Sequence, residues 1–135
     1  MNGRIVTWLG GPALIVGILL GAAPAHAGTG VQIDGATVSG GASTTVNVTI
    51  EYSCDAGGFV RSATVTAEDR RSGALGTARF APSCTGATVK VVVPVTTLNQ
   101  NGYAAGDPAA VRASLLDVDD TEVLGTIAQL AIGNG

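Results

Sequence analysis

The stretch Thr44 to Cys54 reads T-T-V-N-V-T-I-E-Y-S-C and alternates without a fault. Val46, Val48, Ile50, Tyr52 and Cys54 share one side; Thr45, Asn47, Thr49, Glu51 and Ser53 share the other. Successive strand side chains face opposite sides, so the spacing predicts a strand with one face in a core and one in water. Its last inward residue is one of only two cysteines, the other being Cys84. A strand that ends in a covalent staple to a later segment points to two sheets pressed together.

Upstream, residues 1–27 have the layout of a cleavable secretory signal. Arg4 supplies a short positive region, Ile5 to Leu20 is apolar apart from Thr7, Pro24 breaks the expected signal helix, and Ala25-His26-Ala27 is an A-x-A cleavage site. The alternative is an uncleaved membrane anchor, which needs about 20 apolar residues. Gly10-Gly11-Pro12, Pro24 and the A-x-A triplet favour cleavage. No cysteine lies near the cleavage site to accept a bacterial lipid anchor. Residues 28–135 then number 135 − 27 = 108, enough for one domain.

Cleavage removes Arg4 and no acid, so 7 − 1 = 6 bases face 10 acids, a net charge of −4. Scattered bases on an acidic chain exclude nucleic acid as a partner and disfavour anionic lipid. A membrane contact is expected only through an uncleaved signal. Cys54 and Cys84 are expected to pair, because an exported chain meets an oxidising environment. Chain-entropy reasoning puts such a bridge at about 3–4 kcal/mol.

Downstream, the pattern repeats. Val31 and Ile33 start a short first strand, which Val38 continues after a kink at Gly35. Phe59 to Glu68 places Phe59, Ala63, Val65 and Ala67 on one face, with Arg61 at an edge. Leu75 to Ala81 returns and stops at Pro82. Ala87 to Thr96 alternates on Val89, Val91, Val93 and Val95; Pro94 cannot donate to a ladder, so this strand belongs at a sheet edge. Ala109 to Leu116 turns Val111, Ala113 and Leu115 inward, and Glu122 to Ile132 closes the fold on Leu124, Ala128, Leu130 and Ile132. About seven short antiparallel strands with turn signals every 8–12 residues read as an all-β, immunoglobulin-like β-sandwich. The likeness is architectural: true immunoglobulin domains bury a Trp beside their bridge, and the only Trp here is Trp8.

The chemistry open to the chain is narrow. The only histidine, His26, lies in the signal. That removes the commonest general base and metal ligand from residues 28–135. Bridged cysteines leave no thiolate. Carboxylate-pair chemistry survives by residue type, but the acids fall mostly in turns, where solvation explains them. The chain is therefore expected not to be an enzyme and to need no cofactor. Asp117, Asp119, Asp120 and Glu122, four carboxylates within six residues, are a candidate calcium site; the alternative is a solvated acidic hairpin. Asn47-Val48-Thr49 matches the glycosylation triplet in mid-strand, where chance explains it. Glu68-Asp69-Arg70-Arg71 reads as a wet turn or a partner contact. Leu98 to Pro108 is the longest irregular stretch, and Leu98, Asn99, Gln100, Asn101 and Tyr103 form the candidate binding loop. Tyr103 either presents its ring at the tip or folds back to plug the sandwich end.

Two resemblances bear on this reading. Tyr52-Ser53-Cys54 ending a strand, Cys84-Thr85-Gly86 opening a later one, and G-D-P-A-A-V-R-A-S-L-L over Gly106–Leu116 resemble small secreted actinobacterial proteins grouped only as uncharacterised domains. That resemblance implies a single-disulfide β-sandwich and no activity. Size, acidity and richness in Ala, Gly, Thr and Val are similar to the enediyne-carrying apoproteins of actinomycetes. Those proteins carry two disulfides where this chain has one cysteine pair, and no binding residue carries over. The expected function is thus a secreted, non-enzymatic binding or surface module for an unknown protein, glycan or small molecule. The alternative is a small-molecule carrier. A large apolar cleft under Leu98–Pro108 would mark the carrier; a filled core would mark the binding module.

Overall fold

The computed structural model describes residues 29–135. The expected signal segment, 1–27, lies outside the described residues. In chain order the strands are β1 (Gly30–Val38), β2 (Ala42–Ser43), β3 (Thr45–Ser53), β4 (Ser62–Asp69), β5 (Leu75–Phe80), β6 (Val89–Thr96), β7 (Tyr103–Ala104), β8 (Pro108–Leu116), β9 (Glu122–Ala131) and β10 (Gly133–Asn134). One sheet has the order β10-β1-β3-β6, the other β9-β8-β4-β5, and β2 pairs with β7 across one end. The seven longer strands are those the alternation predicts; β2, β7 and β10 have two residues each. All pairings are antiparallel except β10 with β1, which is parallel and corrects the all-antiparallel expectation. The reason is local: the chain leaves β9 at Ile132, crosses to the other sheet, and continues beside β1 in the same direction.

β3 has the cleanest alternation and occupies an interior position, between β1 and β6. Val46, Val48, Ile50 and Tyr52 are buried, while the residues between them stay partly exposed. They meet Ala63, Val65 and Ala67 of β4 and Ala109, Val111, Ala113 and Leu115 of β8 in one core. Burying a Val or Ile side chain is worth about 1.5–3 kcal/mol each, so small β-branched residues on facing strands suffice to hold the sheets. The kink expected in β1 is a register shift between Ile33 and Gly35. β6 lies at a sheet edge, as Pro94 requires.

Phe59 is a correction. It does not join the β4 core face but is 83% exposed, and Val60 is buried in its place. The chain crosses between sheets here, and β4 begins only at Ser62. The Arg61 N–H donates to the Leu116 carbonyl at 2.8 Å, and its guanidinium binds the Gly58 and Val60 carbonyls. That hydrogen bonding breaks the phase between residue 60 and residue 63.

Each end of the sandwich has its own closure. At the first end, Cys54 bonds Cys84 with Cα atoms 4.7 Å apart. The bridge pins the β5–β6 crossover to the end of β3. The Tyr52 ring lies 5.8 Å from Phe80, and its hydroxyl accepts the Ser83 N–H at 2.8 Å. At the other end the edges of β5 and β6 touch, through a bridge between Gly76 and Thr97. A Cβ on Gly76 would stand 2.4 Å from the Thr96 carbonyl oxygen and 2.9 Å from the Tyr103 hydroxyl. Gly76→Ala is therefore expected to cost about 1–3 kcal/mol through overpacking. Urea titration would show it as a lower midpoint with an unchanged slope.

Candidate functional site

The candidate binding loop is strapped down onto the β4–β5 hairpin. The Leu98 N–H donates to the Leu75 carbonyl at 2.8 Å. Asn99 Nδ2 donates to the Gly73 carbonyl at 2.8 Å, and Ser72 Oγ to the Gly102 carbonyl at 2.6 Å. Leu98, Asn99, Gln100 and Asn101 are exposed, and Leu98 is 72% so. Tyr103 is not. It is the largest fully buried side chain among the described residues, and its hydroxyl donates to the Ala67 carbonyl at 3.0 Å. Of the two placements open to Tyr103, the plug is the one observed, and it leaves the set of residues that can offer a surface to a ligand. The physical reason is that β7 pairs with β2, which turns the ring inward.

The same end holds what sequence reasoning missed. Asp69, read as part of a wet turn, is fully buried, and Asp107 is only 7% exposed. Asp69 Oδ1 accepts the N–H groups of Arg71 and Ser72, each at 2.9 Å, and Oδ2 accepts the Ala104 N–H at 3.3 Å. Arg71 Nη1 lies 3.1 Å from Asp107 Oδ1. Burial pushes the Asp69 carboxyl up, but the hydrogen bonds from Ser72, Asp107, Arg71 and Ala104 outweigh it and hold it below the ordinary value. Asp107 is raised, first by its hydrogen bond to Asp69, then by burial and the Asp69 charge, with Arg71 opposing. Tyr103 is pushed up to about 12, by burial and then by the Asp69 charge. The usable signal was Asp69-Arg70-Arg71-Ser72-Gly73, an Asp that bonds the backbone two and three residues on.

In the acidic turn the carboxylates are engaged by groups of the protein itself. Asp117 Oδ1 accepts the N–H groups of Asp119 at 2.8 Å and Thr121 at 2.9 Å. Asp120 pairs with Arg79. Glu122 Oε1 accepts Arg112 Nη2 at 2.5 Å and Ser114 Oγ at 2.7 Å, and those bonds lower its carboxyl. Each of these three carboxylates is directed at a different protein partner, and among the described residues no three metal-ligating side chains converge.

A shallow groove of about 340 Å³ runs between β5 and β6, lined by Ala78, Arg79 and Phe80 on one side and by Val91 to Pro94 on the other. Each of these strands has a partner strand on one side only, so both groove walls are sheet edges. Val92 is 60% exposed. No residue of the Leu98–Pro108 loop lines it. The chain matches no family model and no curated protein.

Proposed function

We propose that the protein is an exported, non-enzymatic β-sandwich module that binds an extended segment of another protein along the β5–β6 edge. The observation that carries this reading is the apolar groove walled by two open strand edges. An added strand gains main-chain hydrogen bonds from an open edge and side-chain specificity from the pockets beside it. Long exposed edges are otherwise a liability that folds suppress. The filled space under the Leu98–Pro108 loop supports a surface-binding module over a small-molecule carrier, because Tyr103 occupies the volume that a carrier's ligand would need. The bridged cysteines support an oxidising destination. Among the described residues no helix is long and apolar enough to cross a membrane.

The experiment is capture from culture supernatant and surface extract with the wild-type protein and with Val92→Lys as bait. A lysine there keeps the fold, since the position is already exposed, but blocks the edge. A partner retained by the wild type and lost by the variant is the expected result. Equal retention by both baits would place the contact elsewhere and overturn the reading.

A further inference from the structure

We propose that the protein self-associates as a two-fold dimer through the open edge of β9, which pairs antiparallel with β9 of a second copy. β9 borders its sheet on the side opposite β5, so this inference does not rest on the β5–β6 groove. Among the described residues β9 is the longest strand, with ten residues, and it has a strand partner only on the β8 side. Alternate residues therefore turn their N–H and C=O groups to a side where no strand meets them. Its register with β8 runs unbroken from Leu124 to Ala131, so the strand is regular where it is open. From Val123 to Ile132 it carries no charge and no proline. Ile127, near the middle of that run, is 58% exposed, and Val123, Gln129 and Ala131 are exposed as well.

The other edges carry features that oppose pairing with their own copy. β1 contains Asp34, shifts register there, and is covered at its far end by β10. β5 carries Arg79, and β6 carries Lys90 and Pro94. Charges, prolines and irregularities are the devices by which folds keep open edges apart. The single charge of β9, Glu122, is turned back onto its own sheet. Its Oε1 accepts Arg112 Nη2 at 2.5 Å and Ser114 Oγ at 2.7 Å, both on β8. Arg112 is also the β8 partner of Ile127, so the flank of the exposed isoleucine is balanced in charge. The occupant follows from that balance. A chain with 10 acids against 7 bases repels itself in general. Two copies meet without that cost where charge is absent or already paired, and β9 is such a place.

The strand is complementary to itself. A two-fold axis through Ile127 sets that residue against Ile127 of the second copy. Leu124 then meets Leu130 and Thr126 meets Ala128 on the inner face, while Gly125 meets Gln129 on the outer face. Glu122 falls opposite Ile132, so no like charges stand directly across from each other. Main-chain hydrogen bonds join the two sheets into one. Such a contact uses the same patch on both copies and closes on itself, which leaves both β5 edges free.

The test is sedimentation equilibrium of the purified protein from micromolar to millimolar concentration. The wild type is expected to pass from monomer to dimer. Ile127→Lys changes an exposed position and puts like charges face to face at the axis. It should stay monomeric wherever the wild type is dimeric. Mixing Ile127→Lys with Ile127→Glu should restore the dimer, because the facing charges are then opposite. Val92→Lys, on the β6 edge, should dimerise as the wild type does. A wild type that stays monomeric throughout would overturn the proposal. So would a dimer that Ile127→Lys leaves intact, one that Val92→Lys dissolves, or a Lys/Glu mixture that stays monomeric. Should Ile127→Lys misfold, hydrogen exchange of the wild type decides without a variant. The β9 amides should exchange more slowly as concentration rises; rates independent of concentration would refute the pairing.

Discussion

Removing the Cys54–Cys84 bridge with the double variant Cys54→Ala/Cys84→Ala is expected to lower the stability by about 3–4 kcal/mol. The bridge closes a loop with a sequence separation of 30, and the unfolded chain regains that loop's freedom when it is cut. At about 4–8 °C per kcal/mol for a domain near this size, the melting midpoint should fall by roughly 15 °C or more. Alanine is the right replacement, because Cys54 is fully buried and a serine hydroxyl there would need a partner. Calorimetry of the variant, beside the wild type with and without a thiol reductant, measures the effect. The reduced wild type and the variant should melt together. A change below about 1 kcal/mol would mean that Tyr52, Phe80 and Ser83 already hold the crossover without the bridge.

Tyr103→Ala is expected to cost about 3–5 kcal/mol, the range for deleting a large buried ring. Tyr103→Phe keeps the ring and loses only the hydrogen bond to the Ala67 carbonyl, so about 1 kcal/mol is expected. The gap between the two separates packing from hydrogen bonding, and urea titration of both variants measures it. The phenylalanine variant has a second signature. The Tyr103 hydroxyl, at an ordinary value of 10.0 when unfolded, is pushed up to about 12 by burial and then by the Asp69 charge. Its contribution is therefore whole below pH 10 and is lost as pH rises toward 12. Tyr103→Phe should lose less stability than the wild type across that interval. An identical alkaline decline in both proteins would show that the ring is not the titrating group.

How much of this was legible is best seen strand by strand. Val46-Asn47-Val48-Thr49-Ile50 carries its structure in its own spacing, and β3 is where the alternation places it. Pro94 announces an edge because it lacks an N–H, and β6 is an edge. Phe59 was misassigned because alternation was extended backward through a crossover, where hydrogen bonds from Arg61 reset the phase. The candidate site was less legible. Leu98 is as exposed as a loop residue should be, yet Tyr103, five residues on, is in the core. The β5–β6 groove had no signal at all, since it arises from two edges that meet at Gly76 and diverge beyond it.

From the sequence alone came the properties that neighbouring residues settle among themselves: strand period, the edge proline, the turns, and the pairing of a lone cysteine pair. Those depend on backbone geometry over a few positions, and no distant segment can overrule them cheaply. The fate of Asp69, Asp107 and Tyr103 belongs to the tertiary structure. An acid in a hairpin is solvated or buried according to what folds over it, and what folds over Asp69 is a segment 35 residues away along the chain. Only assembly of both sheets buries Asp69, Asp107 and the Tyr103 ring at one end of the sandwich.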